Sequence, residues 1–348
     1  MLIVGCDFHP SWEHICWLET ETGETGEQKL VHAAGEAERF YRSLPAPALV
    51  GLEATGNCHW LVDLLAELGH ELWVGDAAQI RASYVRRQKT DKRDAAHILK
   101  LLVEGRFPRI WMPSAEVRDL RQLLLHRHKL VEMRARVKNG LQHLMLNRGV
   151  QKKARLWSKT GLEQLRELAL PAWAGRRRED LLGLLGMLDQ QITPLDEAVS
   201  QAAQQDKMAR LLMTQPGVGP ITALAFVLTL GDVSRFAHSK QVASYLGLIP
   251  REHSSGGHQR LGAITKQGNR MLLVEAAHTA TRYDPQIRRE YQHRCHSRPK
   301  NVAKVAAARK LAVKLYWMLK SANPHPGSVA TESRPRVPLV GLTPDRCG

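Results

Sequence analysis

The first hundred residues of the sequence alternate short apolar runs with helical patterns in an order that few folds accommodate. Three β-rich runs within residues 2–33 are joined by tight polar links, which is typical of an antiparallel meander. A helical pattern follows at 36–43, and apolar runs at 48–53 and 71–75 enclose an amphipathic helical pattern at about 58–68. The sequence therefore predicts the order βββαβαβα, with helices covering both faces of one sheet.

Two of the predicted strands end on a carboxylate. Asp7 closes the first apolar run, and Glu53 closes the fourth. The predicted order is that of a ribonuclease-H-like α/β fold, in which the first and fourth strands lie side by side. We therefore expect both acids at the same end of the sheet, although either acid alone is an ordinary polar residue at a strand end.

The segment KTDKRD at 89–94 adds two more carboxylates, three residues apart. A helix that begins near Thr90 would place Asp91 and Asp94 on one face, about 5–6 Å apart at Cβ. Four acids in one place raise one another's pKa unless a cation is bound. We therefore predict that these four carboxylates hold Mg²⁺, with two ions, for phosphoryl transfer. In the alternative, Thr90 is an N-cap and the acids only stabilise the helix start.

The charge of the chain favours a polyanionic partner. Its 348 residues carry 50 Lys and Arg against 34 Asp and Glu, a net charge of +16. Such an excess is typical of nucleic-acid-binding proteins, and a solvated basic surface is the alternative. The basic side chains around the acidic segment are predicted to contact nucleic acid: Arg86, Arg87, Lys89, Lys92 and Arg93.

Cysteines and apolar runs disfavour several other classes of protein. The five cysteines show no CxxC spacing, which favours a reducing compartment over a disulfide framework. Zinc is disfavoured at Cys58-His59 and at 293–296, because no second half with ligand spacing follows either cluster. No run of about 18 apolar residues occurs, so we expect a cytoplasmic protein without a membrane partner.

The middle of the sequence predicts a pair of long helices. A basic helical pattern covers 118–155, with apolar residues every seven positions. A partner pattern covers 179–204, where Pro194 is expected to kink the helix or restart it. The two patterns predict an antiparallel coiled coil, within one subunit or between two, which acts as a spacer or carries nucleic acid on its basic face.

A glycine turn at 216–219 (PGVG) is a candidate phosphate contact. It resembles the turn of a helix-hairpin-helix element, in which glycines let backbone amides approach a phosphate closely. Gly217 and Gly219 are therefore predicted nucleic-acid contacts. A plain αα-hairpin is the alternative.

A second candidate loop carries Ser254 and Ser255 next to two glycines, with basic residues on both sides. A hydroxyl in such a loop can act as a covalent nucleophile if a metal or base activates it. Arg260 and Lys266 are predicted to contact nucleic acid beside it. Ordinary loop composition is the alternative. A last basic amphipathic helix covers 300–320, and the proline-rich residues 323–348 are expected to be disordered.

Together these motifs resemble the insertion sequence one-ten family, the DEDD-type transposases that are also called bridge-RNA-guided recombinases. The resemblance covers about residues 2–320. The matching motifs are the Asp7 strand, LEATG at 52–56, KTDKRDA at 89–95, PGVG at 216–219, and GLIP at 247–250 with the serine loop and GN at 268–269. One position departs from the family, since Met271-Leu272-Leu273 stands where an Arg is common.

The resemblance implies a residue-by-residue assignment. Asp7, Glu53, Asp91 and Asp94 would be the catalytic, metal-binding tetrad of a RuvC-like domain. Ser255 would be the nucleophile, with Ser254 as its neighbour in register. The resemblance also implies donor and target DNA as substrates, a structured noncoding guide RNA, and a homo-oligomer, dimer or tetramer, whose half-sites come from different subunits.

The expected plan has four parts. Residues 1–110 form the RuvC-like domain, 111–206 the coiled coil, 207–322 a helical transposase domain with the serine loop, and 323–348 the tail. Two other functions stay open at this point. One is a RuvC-like structure-specific endonuclease that uses water and no covalent serine step, and the other is a nucleic-acid-binding protein without catalysis.

Overall fold

The structure is a computed structural model. It describes residues 1–84, 90–150, 156–252, 260–265 and 271–322. The chain divides into two compact units, Met1–Glu116 and Val117–Gly348. The first unit is a mixed α/β fold, and the described part of the second unit is helical apart from one small hairpin.

The first unit contains one five-stranded sheet in the order β3-β2-β1-β4-β5. Strands β1 to β3 are antiparallel neighbours, while β4 runs parallel to β1 and β5 runs parallel to β4. The predicted strand order, with the first and fourth strands adjacent, is confirmed. The elements are β1 (Leu2–Phe8), β2 (Trp12–Glu19), β3 (Thr25–Val31), α1 (Glu36–Ser43), β4 (Leu49–Glu53), α2 (His59–Glu67), β5 (Glu71–Gly75), α3 (Ala77–Ala82) and α4 (Asp91–Val103).

Helices cover both faces of β1, which explains its continuous apolar sequence. Val4 and Cys6 belong to the core that includes α1 and α2, whereas Ile3 packs with α4. Gly5 allows α4 to approach this second face closely, because a Cβ at Gly5 would lie 2.4 Å from the backbone N of Leu99. The close contact fixes α4 along β1, with the start of α4 towards the end of β1 where Asp7 lies.

The second unit is built from nine helices and a hairpin among the described residues. These are α5 (Ala115–Leu146, whose first two residues belong to the first unit), α6 (Lys159–Glu167), α7 (Ala172–Gln205), α8 (Lys207–Met213), α9 (Pro220–Leu230), α10 (Ser239–Tyr245), β6 (Pro250–Glu252), β7 (Leu261–Ile264), α11 (Met271–Tyr283), α12 (Pro285–Ser297) and α13 (Lys300–Ala322). Its main core gathers the buried face of α13, including Leu311 and Leu315, with α8 to α11.

Helices α5 and α7 form an antiparallel pair within the chain. Arg127 pairs with Asp196 at 2.5 Å, and Arg134 pairs with Asp189 at 3.0 Å. Residue numbers that rise along α5 therefore face numbers that fall along α7, so the two helices run in opposite directions. The pairing agrees with the intrasubunit alternative. The helix bounds differ from the prediction: α5 ends at Leu146, before the positive φ of Gly149, instead of reaching residue 155. Helix α7 continues through Pro194, so of the two predicted outcomes, a kink or a restart, the restart is excluded.

The glycine turn between α8 and α9 is found where the sequence predicts it. Gly217 has φ of +88°, and a Cβ there would lie 2.5 Å from the backbone N of Ala280 in α11. Gly219, at the start of α9, is exposed, with no atom near its missing Cβ. No helix among the described residues is both long enough and apolar enough to cross a bilayer.

Candidate active site

Asp7 is the centre of an acidic cluster at the end of β1. Its side chain is only 15% exposed, and its Oδ2 atom is buried without a hydrogen-bond partner among the described residues. Burial raises the pKa of Asp7 to about 6; the nearby His9 opposes this shift, while Asp94, Asp91 and Glu53 add to it. The other three predicted acids therefore lie close enough to Asp7 to act on it electrostatically.

Asp91 and Asp94 occupy the first turn of α4, which begins where the sequence predicts. The Thr90 side chain caps the helix by accepting a hydrogen bond from the backbone N–H of Arg93 at 3.4 Å. The N-cap interpretation is therefore confirmed, and a catalytic role of Asp91 and Asp94 stays a prediction. The Tyr84 hydroxyl donates to Asp94 Oδ1 at 2.5 Å, and burial and then this hydrogen bond raise the pKa of Tyr84.

Glu53 ends β4 and lies one residue beyond Leu52, the register partner of Cys6. Its Oε1 lies 3.7 Å from Arg81 Nη2, on the helix after β5. The parallel pairing of β1 and β4 therefore brings Asp7 and Glu53 to the same sheet end, as the sequence predicts. Glu53 and Asp94 nevertheless do not belong to the group of closely spaced potential ligands that includes Asp7 among the described residues.

The group that includes Asp7 also contains His9, which the sequence analysis missed. Ligand atoms of Asp7, His9 and Asp91 all lie within 4.8 Å of one another. His9 Nδ1 lies 3.8 Å from Asp7 Oδ2, and the His9 ring stacks on Trp12 at 4.0 Å between centroids. Like Asp7 Oδ2, His9 Nδ1 is buried without a hydrogen-bond partner among the described residues. The only signal in the sequence was a histidine two residues beyond a strand-end acid.

The fit of this site to a divalent cation can be judged from Asp7 Oδ2 and His9 Nδ1, which face each other and have no hydrogen-bond partner among the described residues. Burying polar atoms without partners costs free energy, and a bound cation would remove that cost for both atoms. The carboxylate oxygens of Asp7 and Asp91 are the ligands that Mg²⁺ prefers. An imidazole is a softer ligand, so His9 suits a contact beside the ion as well as coordination of it. The donor set therefore fits a divalent metal.

Lys92, a predicted nucleic-acid contact, is engaged within the chain. Its Nζ atom lies 2.5 Å from Glu27 Oε1 on β3. Ligand atoms of His14, Cys16 and Glu27 lie within 4.8 Å of one another on the sheet face that also carries Asp7. Lys92 already supplies a positive charge to this group. Contact between Lys92 and nucleic acid thus requires its pair with Glu27 to open.

The other predicted nucleic-acid contacts have different outcomes. Arg93 and Arg260 are exposed, and Gly219 presents the open start of α9. Gly217 is explained by its packing against α11, so a phosphate is not needed to account for that glycine. Six predicted positions lie outside the described residues: Arg86, Arg87, Lys89, Ser254, Ser255 and Lys266.

A second buried carboxylate, Glu13, also escaped the sequence analysis. Glu13 lies on β2, facing away from Asp7, and is fully buried. Burial raises its pKa to about 7, although Tyr41 and Cys6 act in the opposite direction. His32 Nε2 lies 3.6 Å from Glu13 Oε2. Glu13 lies two residues before Ile15 on β2, so both side chains face the core. A charged residue type is rarely buried, and the sequence therefore gave no reason to place Glu13 in the core.

These features define a class: a mixed α/β protein with an acidic, metal-compatible cluster at one end of its sheet and a basic helical unit. Two family models match the chain, a DEDD-type IS110 transposase model over residues 4–148 and the transposase IS116/IS110/IS902 family model over 209–292. The chain belongs to this family and is a DNA transposase.

Individual relatives agree with this assignment. A probable family 20 transposase of Pseudomonas aeruginosa is 32% identical over 81% of this chain and 86% of its own length. The transposase for insertion sequence element IS1111A of Coxiella burnetii is 28% identical, over 80% of this chain and 76% of its own length. A pilin gene-inverting protein of Moraxella bovis is 27% identical over 59% and 57% of the two chains.

Proposed function

We propose that this transposase cuts and rejoins DNA strands with a RuvC-like, Mg²⁺-dependent site formed by Asp7, Glu53, Asp91 and Asp94. One observation carries the proposal. The Asp7 carboxyl is largely buried, its Oδ2 atom has no hydrogen-bond partner among the described residues, and its pKa is raised to about 6. Such an arrangement is unfavourable for folding alone, and perturbed carboxylates of this kind cluster at functional sites. The strand order of the sheet supports the RuvC-like interpretation.

The residues of the chain would share the work of this site. Asp7 and Asp91 would hold a divalent ion, with Glu53 and Asp94 completing the acidic cluster for a second ion. When bound, two Mg²⁺ ions neutralise charge on the reacting phosphate and favour ionisation of the attacking oxygen. The Tyr84 hydroxyl keeps Asp94 in place through its hydrogen bond of 2.5 Å. The dipole of α4 stabilises the two aspartates of its first turn.

We further propose Ser255 as the nucleophile, with Ser254 as the alternative. Ser255 follows β6 in the sequence, three residues after Glu252, and lies outside the described residues. Ser255 Oγ would form a bond to phosphorus and lose its proton, while the bond from phosphorus to the leaving sugar oxygen breaks and that oxygen takes up a proton. The phosphoserine ester conserves the energy needed for rejoining.

The proposal extends to two partners. A structured noncoding guide RNA and a homo-oligomer, dimer or tetramer, are proposed from the family resemblance and the net charge of +16. Specificity for donor and target DNA would then reside largely in base pairing. Sequencing of RNA that copurifies with the protein tests this part, and recovery of only bulk cellular RNA would contradict it.

The decisive experiment compares three variants on supercoiled DNA that carries the ends of the element, in Mg²⁺. We expect wild type to form a covalent protein–DNA adduct, detected on a denaturing gel. Ser255→Ala should abolish the adduct, Ser254→Ala should retain it, and Asp91→Asn should abolish all strand cleavage. Continued cleavage by Ser255→Ala without any adduct would favour a hydrolytic nuclease, and unchanged activity of Asp91→Asn would contradict a catalytic role for the acids.

A further inference from the structure

The second unit contains a large cleft beside the hairpin that carries the serine loop. The cleft has a volume of about 1000 Å³ and lies between β6–β7 and the helices α12 and α13. Pro250 of β6 and Ile264 of β7 line one wall, and Val302 and Val305 of α13 line another. Val302 is 52% exposed, so this apolar wall is open to solvent.

Basic side chains surround this apolar floor. Lys310 is paired with Glu290, and Lys314 Nζ lies 2.9 Å from Asp284. Two guanidinium groups, on Arg294 and Arg309, have no ion pair with any carboxylate in the described part of the chain. The cleft therefore presents an excess of positive charge on its rim.

The basic rim continues into a second groove. This groove has a volume of about 610 Å³ and shares Arg294 and Lys310 with the cleft. Arg289, Arg298 and His293 extend it along α12. A ligand that extends from the cleft into this groove would lie along a row of basic side chains. Such a row suits a linear polyanion better than a small molecule.

We propose that this cleft, called here the α12–α13 cleft, holds an unpaired segment of the DNA strand that the transposase cuts. Arg294 and Arg309 would contact its phosphates, and a base would pack on Val302 and Val305. Unpaired bases expose apolar faces that a duplex hides, so an apolar floor inside a basic rim favours a single strand. This inference rests on the proposed function, because the substrate class comes from it.

The hairpin that lines the cleft supports this occupant. Pro250 of β6 and Ile264 of β7 line the cleft, and the serine loop follows β6 in the sequence. A strand held in the cleft would therefore be bound by the same hairpin that leads into the proposed nucleophile.

Binding without catalysis tests the proposal. A fluorescein-labelled single strand from the end of the element is titrated with full-length protein in EDTA, over a series of salt concentrations, and anisotropy is measured. We expect the double variant Arg294→Gln/Arg309→Gln to bind about tenfold more weakly and to lower the salt slope by about 1.4, the value for two phosphates of a single strand. Arg282→Gln, an exposed arginine of α11 outside both grooves, is the matched control and should bind as wild type does.

The apolar floor needs its own variant. Val302→Ser keeps the charge and is tolerated by the fold because the side chain is half exposed. We expect this variant to weaken binding of the single strand several-fold and to leave binding of the matching duplex unchanged. Equal losses for single strand and duplex would overturn the unpaired-strand proposal, as would wild-type binding by the double arginine variant.

Three further outcomes separate this proposal from an RNA-binding cleft and from the serine mechanism. Loss of binding to RNA alone, with single-stranded DNA unaffected, would assign the cleft to RNA and overturn the proposal. Ser255→Ala should bind the single strand as tightly as wild type, since EDTA removes any need for chemistry. A protein whose cleft variants lose binding, but which forms no covalent adduct in Mg²⁺, would support the cleft and contradict the serine mechanism.

Discussion

Replacement of Asp7 by Asn should stabilise the metal-free protein while abolishing its response to Mg²⁺. The pKa of Asp7 rises from 3.8 to about 6, chiefly through burial. The folded state thus binds the proton more tightly than the unfolded state, and folding is penalised once the pH exceeds about 4. The penalty is complete above about pH 6 and vanishes below about pH 4.

The size of this effect follows from the shift. About two pKa units correspond to roughly 3 kcal/mol as an upper bound, at about 1.4 kcal/mol per unit. The side chain is 15% exposed, so solvent screening removes only part of that value. We expect Asp7→Asn to raise the free energy of unfolding by about 1–3 kcal/mol at pH 7.5 in EDTA, and by nothing measurable at pH 4.

Thermal unfolding in EDTA and in Mg²⁺ measures both halves of the prediction. Wild type should gain about 3 kcal/mol when Mg²⁺ is a hundredfold above its Kd, and Asp7→Asn should gain nothing. Glu67→Gln, an exposed carboxylate of α2, is the control and should behave as wild type. If Asp7→Asn lowers stability in EDTA at pH 7.5, or keeps the response to Mg²⁺, Asp7 is a structural acid and the reasoning is refuted.

Three further variants test how the fold supports the site. Gly5→Ala should lower the free energy of unfolding by about 1–3 kcal/mol and weaken the stabilisation by Mg²⁺, because its Cβ would displace the backbone of α4. Gly183→Ala, where the added methyl meets no atom, is the control. An unchanged response of Gly5→Ala to Mg²⁺ would contradict the role of Gly5. Glu13→Gln should be up to about 3 kcal/mol more stable than wild type at pH 8 and equally stable at pH 4.5, because the buried Glu13, with a pKa of about 7, destabilises the fold only when it is ionised. Urea unfolding at both pH values measures this difference. Equal effects at the two pH values would refute the reasoning. Tyr84→Phe should reduce stability by about 1 kcal/mol and reduce strand cleavage without affecting DNA binding in EDTA, and loss of binding would contradict a positioning role.

The sequence alone predicted the parts of this protein that depend on local pattern. Short apolar runs and tight polar links placed the strands, and the ribonuclease-H-like fold that their order matches implied that β1 and β4 are neighbours. The (i, i+3) spacing and the Thr90 cap placed Asp91 and Asp94 in the first turn of α4. The chain therefore carried enough information to predict which acids meet, because topology fixes which strand ends are adjacent.

Only the tertiary structure decided features that depend on burial and on contacts between distant segments. The raised pKa of Asp7, the position of His9 beside Asp7 and Asp91, and the pairing of Lys92 with Glu27 all depend on three-dimensional neighbours. Pro194 within a continuous α7 likewise shows packing overriding local preference. Desolvation and ion pairing arise from what surrounds a side chain in space, and residue order alone does not specify those surroundings.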